Sequence, residues 1–423
     1  MSLALAAYQR LTWALGPLAG PYLAARARAG KEDPARLPER FGRAAAPRPP
    51  GPLVWLHGAS VGEMRVALLV QTALAAARPD LSFLITTGTQ TSAALAARAP
   101  RAIHQFAPID RREAVSRFLA HWRPDLGVFA ESDLWPNLVL EAQRRGVRLA
   151  LVNGRMSAES LAGWGRTPAM ARRLLSAFDV LLAADARTAG GLSALSGRAV
   201  QPVANLKMAA PAPTIDPAAL TPLRAAIGDR PVWLAASTHA GEDEIALAAH
   251  ERLRATRPDA LLILAPRHPE RGEAIARLAG DAPRRAAGAL PGGGPVYVAD
   301  TMGELAAFYA LAGVALIGGS LLPTLRGHNP IEPLHCGCAP LSGPHVDSFA
   351  DVFADLVGAG AVRTTPDATA IAATIADLWA EPIRGAAMIE AGRAVIARGG
   401  QALDATLAAL APLLPGEIAH ARA

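Results

Sequence analysis

The sequence predicts an α/β protein of two doubly wound lobes, each a parallel sheet covered on both faces by helices, the lobes facing a central cleft. Its 423 residues exceed the size at which one hydrophobic core keeps growing, so two domains are expected. From residue 53 onward, short apolar runs alternate with Ala- and Arg-rich stretches of helical length, the pattern of strands joined by crossover helices. That rhythm breaks once, across Lys207 to Pro231, where five prolines fall and a linker is expected. The expected divisions are an N-terminal segment at 1–30, a first lobe at 31–210, a linker at 211–230 and a second lobe with C-terminal helices at 231–423.

Taken in order, Leu3 to Ala25 is mostly apolar but is interrupted by Gln9, Arg10, two glycines and two prolines. A run of this length could just span a bilayer. Tyr8, Trp13 and Tyr22 favour an interface, and Arg26, Arg28 and Lys31 follow as a cytoplasmic cationic flank. Pro17 and Pro21 suit neither a long core helix nor a clean span. Interfacial or single-pass membrane anchoring is therefore expected ahead of simple packing on the first lobe. Strands of the first lobe are expected at Leu53–Leu56, Leu81–Thr86, Ile103–Phe106, Leu126–Phe129, Leu149–Val152 and Val180–Leu182. Those of the second are expected at Val232–Ala235, Leu261–Leu264, Val296–Val298, Val314–Ile317 and Pro340–Leu341, with Ala-rich helices from about Pro366.

Composition narrows the function. A 51% hydrophobic content excludes disorder for the bulk of the chain. A net charge of +6 and a pI near 10.0 suit an anionic substrate or an anionic membrane surface. Only 5% of residues are aromatic, and none interleave with a basic stripe, so nucleic acid is not expected as a partner. Cys336 and Cys338 are one residue apart, a poor spacing for a disulfide, and a reducing compartment follows. With no second cysteine pair, no metal is expected, although His328, His335 and His345 lie nearby.

Residues able to do chemistry collect at the expected strand ends, where a doubly wound sheet binds its ligand. The first strand runs into HGASVGE, in which Ser60 can cap a helix and Glu63 falls at the capping-box position. Glu63 is equally placed to take a proton from an acceptor hydroxyl. Glu131 and Asp133 follow the fourth strand, Arg155 the fifth, and Lys207 closes the lobe. In the second lobe Ser237 ends the first strand, Arg267 and His268 the next, and Met302, Gly303 and Glu304 open a helix. The guanidinium fork of Arg267 matches phosphate oxygens. After Gly318 and Gly319, Asn329 can cap a helix with Pro330 at its first position and Glu332 in its first turn, beside Arg326 and His328. A dinucleotide fingerprint and a Walker sequence are both absent.

Read in order, these segments resemble the Kdo transferases of lipopolysaccharide synthesis. The resemblance is carried by GKEDPARLPERFG at 30–42, HGASVGE at 57–63, ESDLWPN at 131–137, NGRMS at 153–157 and NLK at 205–207. It continues through ASTHAGE at 236–242, PRHPER at 266–271, MGEL at 302–305, and the GGS, GHNPIEP and GPH segments between 318 and 345. It implies a GT-B glycosyltransferase fold and an inverting enzyme at the cytoplasmic face of an inner membrane, using no metal or other cofactor. Such an enzyme moves 3-deoxy-D-manno-octulosonic acid (Kdo) from CMP-Kdo to a lipid A precursor, lipid IVA. It further implies Glu63 as the base, and CMP held at Ser237, Arg267, His268, Met302, Gly303, Glu304, Asn329 and Glu332. Ser60, Glu131, Arg155 and Lys207 are the acceptor-side or sugar-side candidates. The alternatives are another two-lobed sugar-nucleotide enzyme, such as an epimerase or a UDP-sugar transferase, and a membrane-peripheral binding protein without chemistry.

Overall fold

The computed structural model describes residues 2–416. The chain forms two compact units, one holding everything up to Ala209 together with the segment from Arg398, the other Ala210–Ala397. In the first unit, β1 (Leu53–His57), β2 (Ser82–Thr87), β3 (Ala102–Phe106), β4 (Leu126–Ala130), β5 (Arg148–Gly154) and β6 (Val180–Ala183) make one parallel sheet in the order β3-β2-β1-β4-β5-β6. All five residues of β1 are buried, as expected of a strand covered on both faces. Trp55, Phe118 and Phe129 pack on one side of the sheet and Val54, Leu56, Val70 and Phe83 on the other.

The second unit repeats the plan. β7 (Val232–Thr238), β8 (Leu261–Pro266), β9 (Val296–Val298), β10 (Val314–Ile317), β11 (Ala339–Ser342) and β12 (Arg363–Thr364) pair in parallel in the order β12-β11-β10-β7-β8-β9. In each sheet the first and fourth strands are neighbours, so the winding reverses between β1 and β4 and again between β7 and β10. Ligands of such sheets bind outside the carboxyl ends at that reversal.

The domain division differs from the expected one in two places. The expected linker holds a helix, Pro217–Ile227, whose cap Asp216 accepts from the Ala218 N–H and which buries Leu223 and Ile227. Pro217 occupies the first turn, where its missing N–H is not needed, so a residue read as a breaker starts a helix. The C-terminal stretch does not end in the second unit either. The helix Pro382–Leu410 returns the chain to the first, where Ala402, Leu410 and Leu413 are buried with Leu56, Val70 and Leu74. A side chain at Gly399 would lie 2.5 Å from Cβ of Met208, so only glycine lets the helix pass there.

The N-terminal segment is two helices, Leu3–Ala14 and Gly16–Arg28. One face belongs to the first unit. Leu5 joins the cluster of Trp55 and Phe118, and the Tyr8 hydroxyl donates to Asp110 at 2.7 Å. Asp110 in turn accepts the Asn137 and Leu138 N–H groups at 2.9 and 2.7 Å, capping the helix Pro136–Arg144. The opposite face is open, with Leu3, Leu11, Trp13, Leu15, Leu18 and Tyr22 between 49% and 90% exposed. Among the described residues no helix is long and apolar enough to cross a membrane. Packing on the first lobe, the less favoured expectation, holds for the inner face. The GKEDPARLPERFG motif is also internal scaffolding: Arg40 pairs with Glu32 at 3.0 Å and donates to the Ala107 carbonyl, while Glu39 accepts the Phe106 N–H at 2.7 Å.

Candidate active site

The helix Val61–Ala77 starts three residues after β1 ends, and its start is a complete capping box. The Glu63 N–H donates to Ser60 Oγ at 3.2 Å, and the Ser60 N–H donates to Glu63 Oε2 at 2.8 Å. The Ser60 hydroxyl oxygen is thereby engaged in capping. Burial pushes the Glu63 carboxyl above its ordinary range against the Ser60 N–H, and the negative charges of Asp133 and Glu131 push it further. The capping and base readings are thus compatible. The box fixes one carboxylate oxygen while the surroundings make the group a stronger base than a solvated glutamate.

Three motifs far apart in sequence complete this site. Glu131 follows β4 in a left-handed conformation, φ 61°, and its Oε1 lies 2.7 Å from Lys207 Nζ. Lys207 is held through Asn153, the buried residue near the end of β5, whose Oδ1 accepts the Leu206 N–H at 2.8 Å. Asn205 Oδ1 accepts the Lys207 N–H at 3.1 Å. Lys207 Nζ is also 3.3 Å from where a Cβ on Gly62 would stand, which brings the ammonium to the start of the Glu63 helix. Arg155, partly buried, is two residues beyond Asn153. His57, the last residue of β1, meets Asp133 Oδ2 through Nε2 at 2.9 Å. No role for that histidine was read from sequence, although an imidazole ending an otherwise apolar strand is a visible signal.

In the second unit, Ser237, Arg267, Thr301, Met302 and Gly303 line a pocket with an apolar floor that includes Ala299 and Phe308. Ser237 sits at φ 56°, and a Cβ on Gly318 would come 2.5 Å from its carbonyl oxygen, so the ends of β7 and β10 touch backbone to backbone. Arg267 is exposed and anchored by its own N–H to the Thr238 carbonyl at 2.9 Å. Its guanidinium makes no hydrogen bond or ion pair among the described residues, so the fork is available to an anion. Glu304 does not line the pocket. It pairs with Arg285 at 2.6 Å and accepts from the Thr301 hydroxyl, and the guanidinium holds its carboxyl below the usual range. These two contacts brace the Thr301–Glu304 turn. His268 is exposed, 3.7 Å from Glu270, and is likewise outside the pocket lining.

Asn329 is not the N-cap the sequence suggests: the helix is Ile331–His335 with Pro330 as its N-cap residue, and Asn329, one position earlier, accepts the Ile331 N–H through Oδ1 at 3.1 Å. Glu332 lies in that short helix, which packs against the pocket-side helix Leu305–Leu311. The residue that sequence reasoning missed here is Glu242. It is fully buried and its carboxylate accepts four N–H groups, from His239 (3.1 Å), Gly319 (2.7 Å), Ser320 (2.9 Å) and Leu321 (2.9 Å). Glu242 thus ties the loop after β7 to the loop after β10. Glu242 is the first residue of the helix Glu242–Arg254, and three of its four partners lie 77–79 residues away in sequence.

Two parallel sheets of identical winding, with titratable clusters at the switch point of each, define the GT-B class of glycosyltransferase fold. A glycosyltransferase from Rickettsia africae shares this fold, with a TM-score of 0.53 at 11% identity over 86% of this chain and 99% of that one. Residues 35–210 match the family described as 3-deoxy-D-manno-octulosonic-acid transferase (kdotransferase). The 3-deoxy-D-manno-octulosonic acid transferase of Bordetella pertussis is 37% identical, the alignment covering 94% of this chain and 96% of that protein. A probable mitochondrial 3-deoxy-D-manno-octulosonic acid transferase of Arabidopsis thaliana is 34% identical over 86% of this chain and 84% of that protein. The chain belongs to the 3-deoxy-D-manno-octulosonic acid transferase family, and its activity is glycosyl transfer of Kdo.

Proposed function

We propose that the protein transfers Kdo from CMP-Kdo to a hydroxyl of a lipid A precursor, with inversion at the anomeric carbon. The observation that carries this reading is Glu63, a partly buried carboxylate held by the Ser60 N–H in the first turn of the helix after β1, where burial and the charges of Asp133 and Glu131 raise its basicity. In the reaction the acceptor hydroxyl gives its proton to Glu63 as its oxygen bonds to the anomeric carbon. The bond from that carbon to the phosphate oxygen breaks, and CMP departs with the electron pair. The carboxylate of Kdo offsets positive charge developing on the sugar. Charge on the departing phosphate is met by Arg267 and by oriented backbone N–H groups of the second unit, which need not reorganise during the step. No metal is required by this scheme.

The acceptor is a membrane lipid, and the open face of the N-terminal helices supports peripheral attachment to the cytoplasmic leaflet of the inner membrane. Trp13, Leu11 and Leu18 would enter the headgroup region, with Arg28 and Lys31 exposed beside them for anionic lipid. The test is incubation of the full-length protein with CMP-Kdo and a tetra-acylated lipid A precursor, read by mass spectrometry of the lipid. The expected product carries at least one added Kdo with release of CMP. A lipid that stays unmodified with CMP-Kdo yet is glycosylated from a UDP-sugar would refute the donor assignment.

A further inference from the structure

We infer that His57 is a positioning residue for the transfer reaction, fixing through its Nε2–H the Asp133 carboxylate at the carboxyl end of β1, the end at which a Cβ on the next residue, Gly58, would stand 3.0 Å from Glu63 Cβ. The inference rests on the reading of Glu63 as the base. It begins from a hydrogen-bond chain buried inside the first unit. Trp55 Nε1 donates to Thr86 Oγ1 at 2.7 Å, Thr86 Oγ1 lies 2.8 Å from His57 Nδ1, and His57 Nε2 lies 2.9 Å from Asp133 Oδ2. Trp55 and Thr86 are fully buried and His57 is 1% exposed.

The chain has a direction. The indole is a donor only, so it occupies one lone pair of the Thr86 oxygen and leaves that hydroxyl one proton to place. The available acceptors are His57 Nδ1 at 2.8 Å and the Leu56 carbonyl at 3.5 Å, and the nearer one takes it. A neutral ring that accepts at Nδ1 carries its proton on Nε2, which is the nitrogen facing Asp133. The tautomer is therefore set from the core, and the rings of Trp55 and Phe129, 6.1 and 5.1 Å away, fix the plane of the imidazole.

What this orientation delivers is a carboxylate held in place. Asp133 is two residues beyond Glu131 on the loop after β4, and its side chain is 16% exposed, so without His57 it could turn to solvent. The titratable groups acting on Glu63 come from two elements, Asp133 and Glu131 from that loop and His57 from β1, and Lys207 is paired with Glu131. The Lys207 pairing answers the charge of Glu131, whereas Asp133 is answered by a hydrogen bond from the imidazole. Asp133 thus contributes negative charge that acts on the base from a fixed place, and His57 determines that place.

The test compares His57→Leu, His57→Gln, Asp133→Asn and the double variant His57→Leu/Asp133→Asn in the full chain. The readouts are kcat and KM for CMP-Kdo, the pH dependence of kcat, and the melting temperature. His57→Leu is expected to lower kcat by about 10- to 100-fold, the scale on which misplaced groups act, with KM for CMP-Kdo unchanged. His57→Gln, which keeps an N–H near the position of Nε2, should recover most of that loss. Asp133→Asn should move the acid limb of kcat to lower pH, because a negative charge acting on Glu63 is gone. The double variant should be no slower than the slower single variant. A His57→Leu enzyme of normal kcat and lowered melting temperature would make His57 a packing residue only and overturn the proposal. So would losses that multiply in the double variant. If His57→Leu does not fold, an Asp133→Asn enzyme with unchanged kcat and acid limb overturns the inference by itself. Loss of activity in Glu63→Gln together with full activity in Asp133→Asn would refute this inference alone, whereas an active Glu63→Gln would refute the base assignment beneath it.

Discussion

Replacing Glu63 by Gln separates two jobs that one side chain performs. Glutamine keeps an oxygen able to accept the Ser60 N–H, now at 2.8 Å, and serves at this capping position nearly as well as glutamate. The substitution removes a negative charge from the first turn of the helix Val61–Ala77, worth about 0.3–1 kcal/mol in favour of the wild type through the helix dipole. It also relieves repulsion from Asp133 and Glu131 and the cost of burying a charge, so these effects oppose each other. The melting temperature should accordingly move little. Transfer should fall by roughly two to four orders of magnitude, the usual contribution of a positioned general base, while CMP binding, which the proposed scheme assigns to the second unit, should be unchanged. The assay is initial-rate mass spectrometry of the lipid product alongside thermal unfolding and calorimetric titration with CMP. Near-normal turnover in a folded Glu63→Gln enzyme would refute the mechanism and turn attention to Glu131 and Asp133.

Four further outcomes are expected. The acid limb of the wild-type kcat should lie above the ordinary carboxylate range: a base with a raised pKa is protonated sooner as pH falls, and burial is the main cause here; an acid limb at the value of a solvated glutamate would contradict this. Arg267→Ala should weaken CMP binding by about 1.5–3 kcal/mol, the worth of a hydrogen bond to a charged group, measured calorimetrically; an unchanged affinity would remove Arg267 from the phosphate site. Glu242→Gln should destabilise the second unit by at least about 3 kcal/mol, because an amide nitrogen then faces buried N–H donors, and a melting temperature equal to wild type would show that the loop does not depend on that carboxylate. Trp13→Ser with Leu18→Ser should reduce binding to vesicles containing phosphatidylglycerol without lowering the melting temperature, whereas deleting residues 1–14 should lower it, since Leu5 and the Tyr8–Asp110 contact are lost; equal vesicle binding by the double variant would remove the open face from membrane attachment.

Of the twelve strands among the described residues, eleven coincide with runs legible in the sequence, most of them apolar because strands covered on both faces need no polar positions. The exception, β12, is a two-residue edge strand of Arg363 and Thr364, which buries too little to leave a pattern. Proline misled the reading at 211–230, where Pro217 begins a helix. The destination of the last helix was not legible, since an Ala-rich amphipathic stretch says that it packs but not on which sheet. Motif position picked out Glu63, Glu131 and Lys207 in the first unit, where the last two pair at 2.7 Å, and Ser237 and Arg267 in the second, where both line one pocket. Which of them touch could not be read, because the partners of Glu131 and His57 are 76 residues away in each case (207 − 131 and 133 − 57). The same limit explains Glu304, a motif acid that was read toward nucleotide and is committed to Arg285.

The return of the helix Pro382–Leu410 makes the second unit an insertion within the first. A ribosome therefore finishes the inner unit before it delivers the residues that complete the outer one. Until Ala402, Leu410 and Leu413 emerge, the side of the first sheet that includes Val70 and Leu74 lacks part of its cover. A nascent chain stopped near Ala397 would hold a complete inner unit attached to an outer one with exposed apolar surface, a natural target for chaperones or proteases. Synthesis of the segment from Arg398 to Leu413 thus seals the half of the protein that carries Glu63.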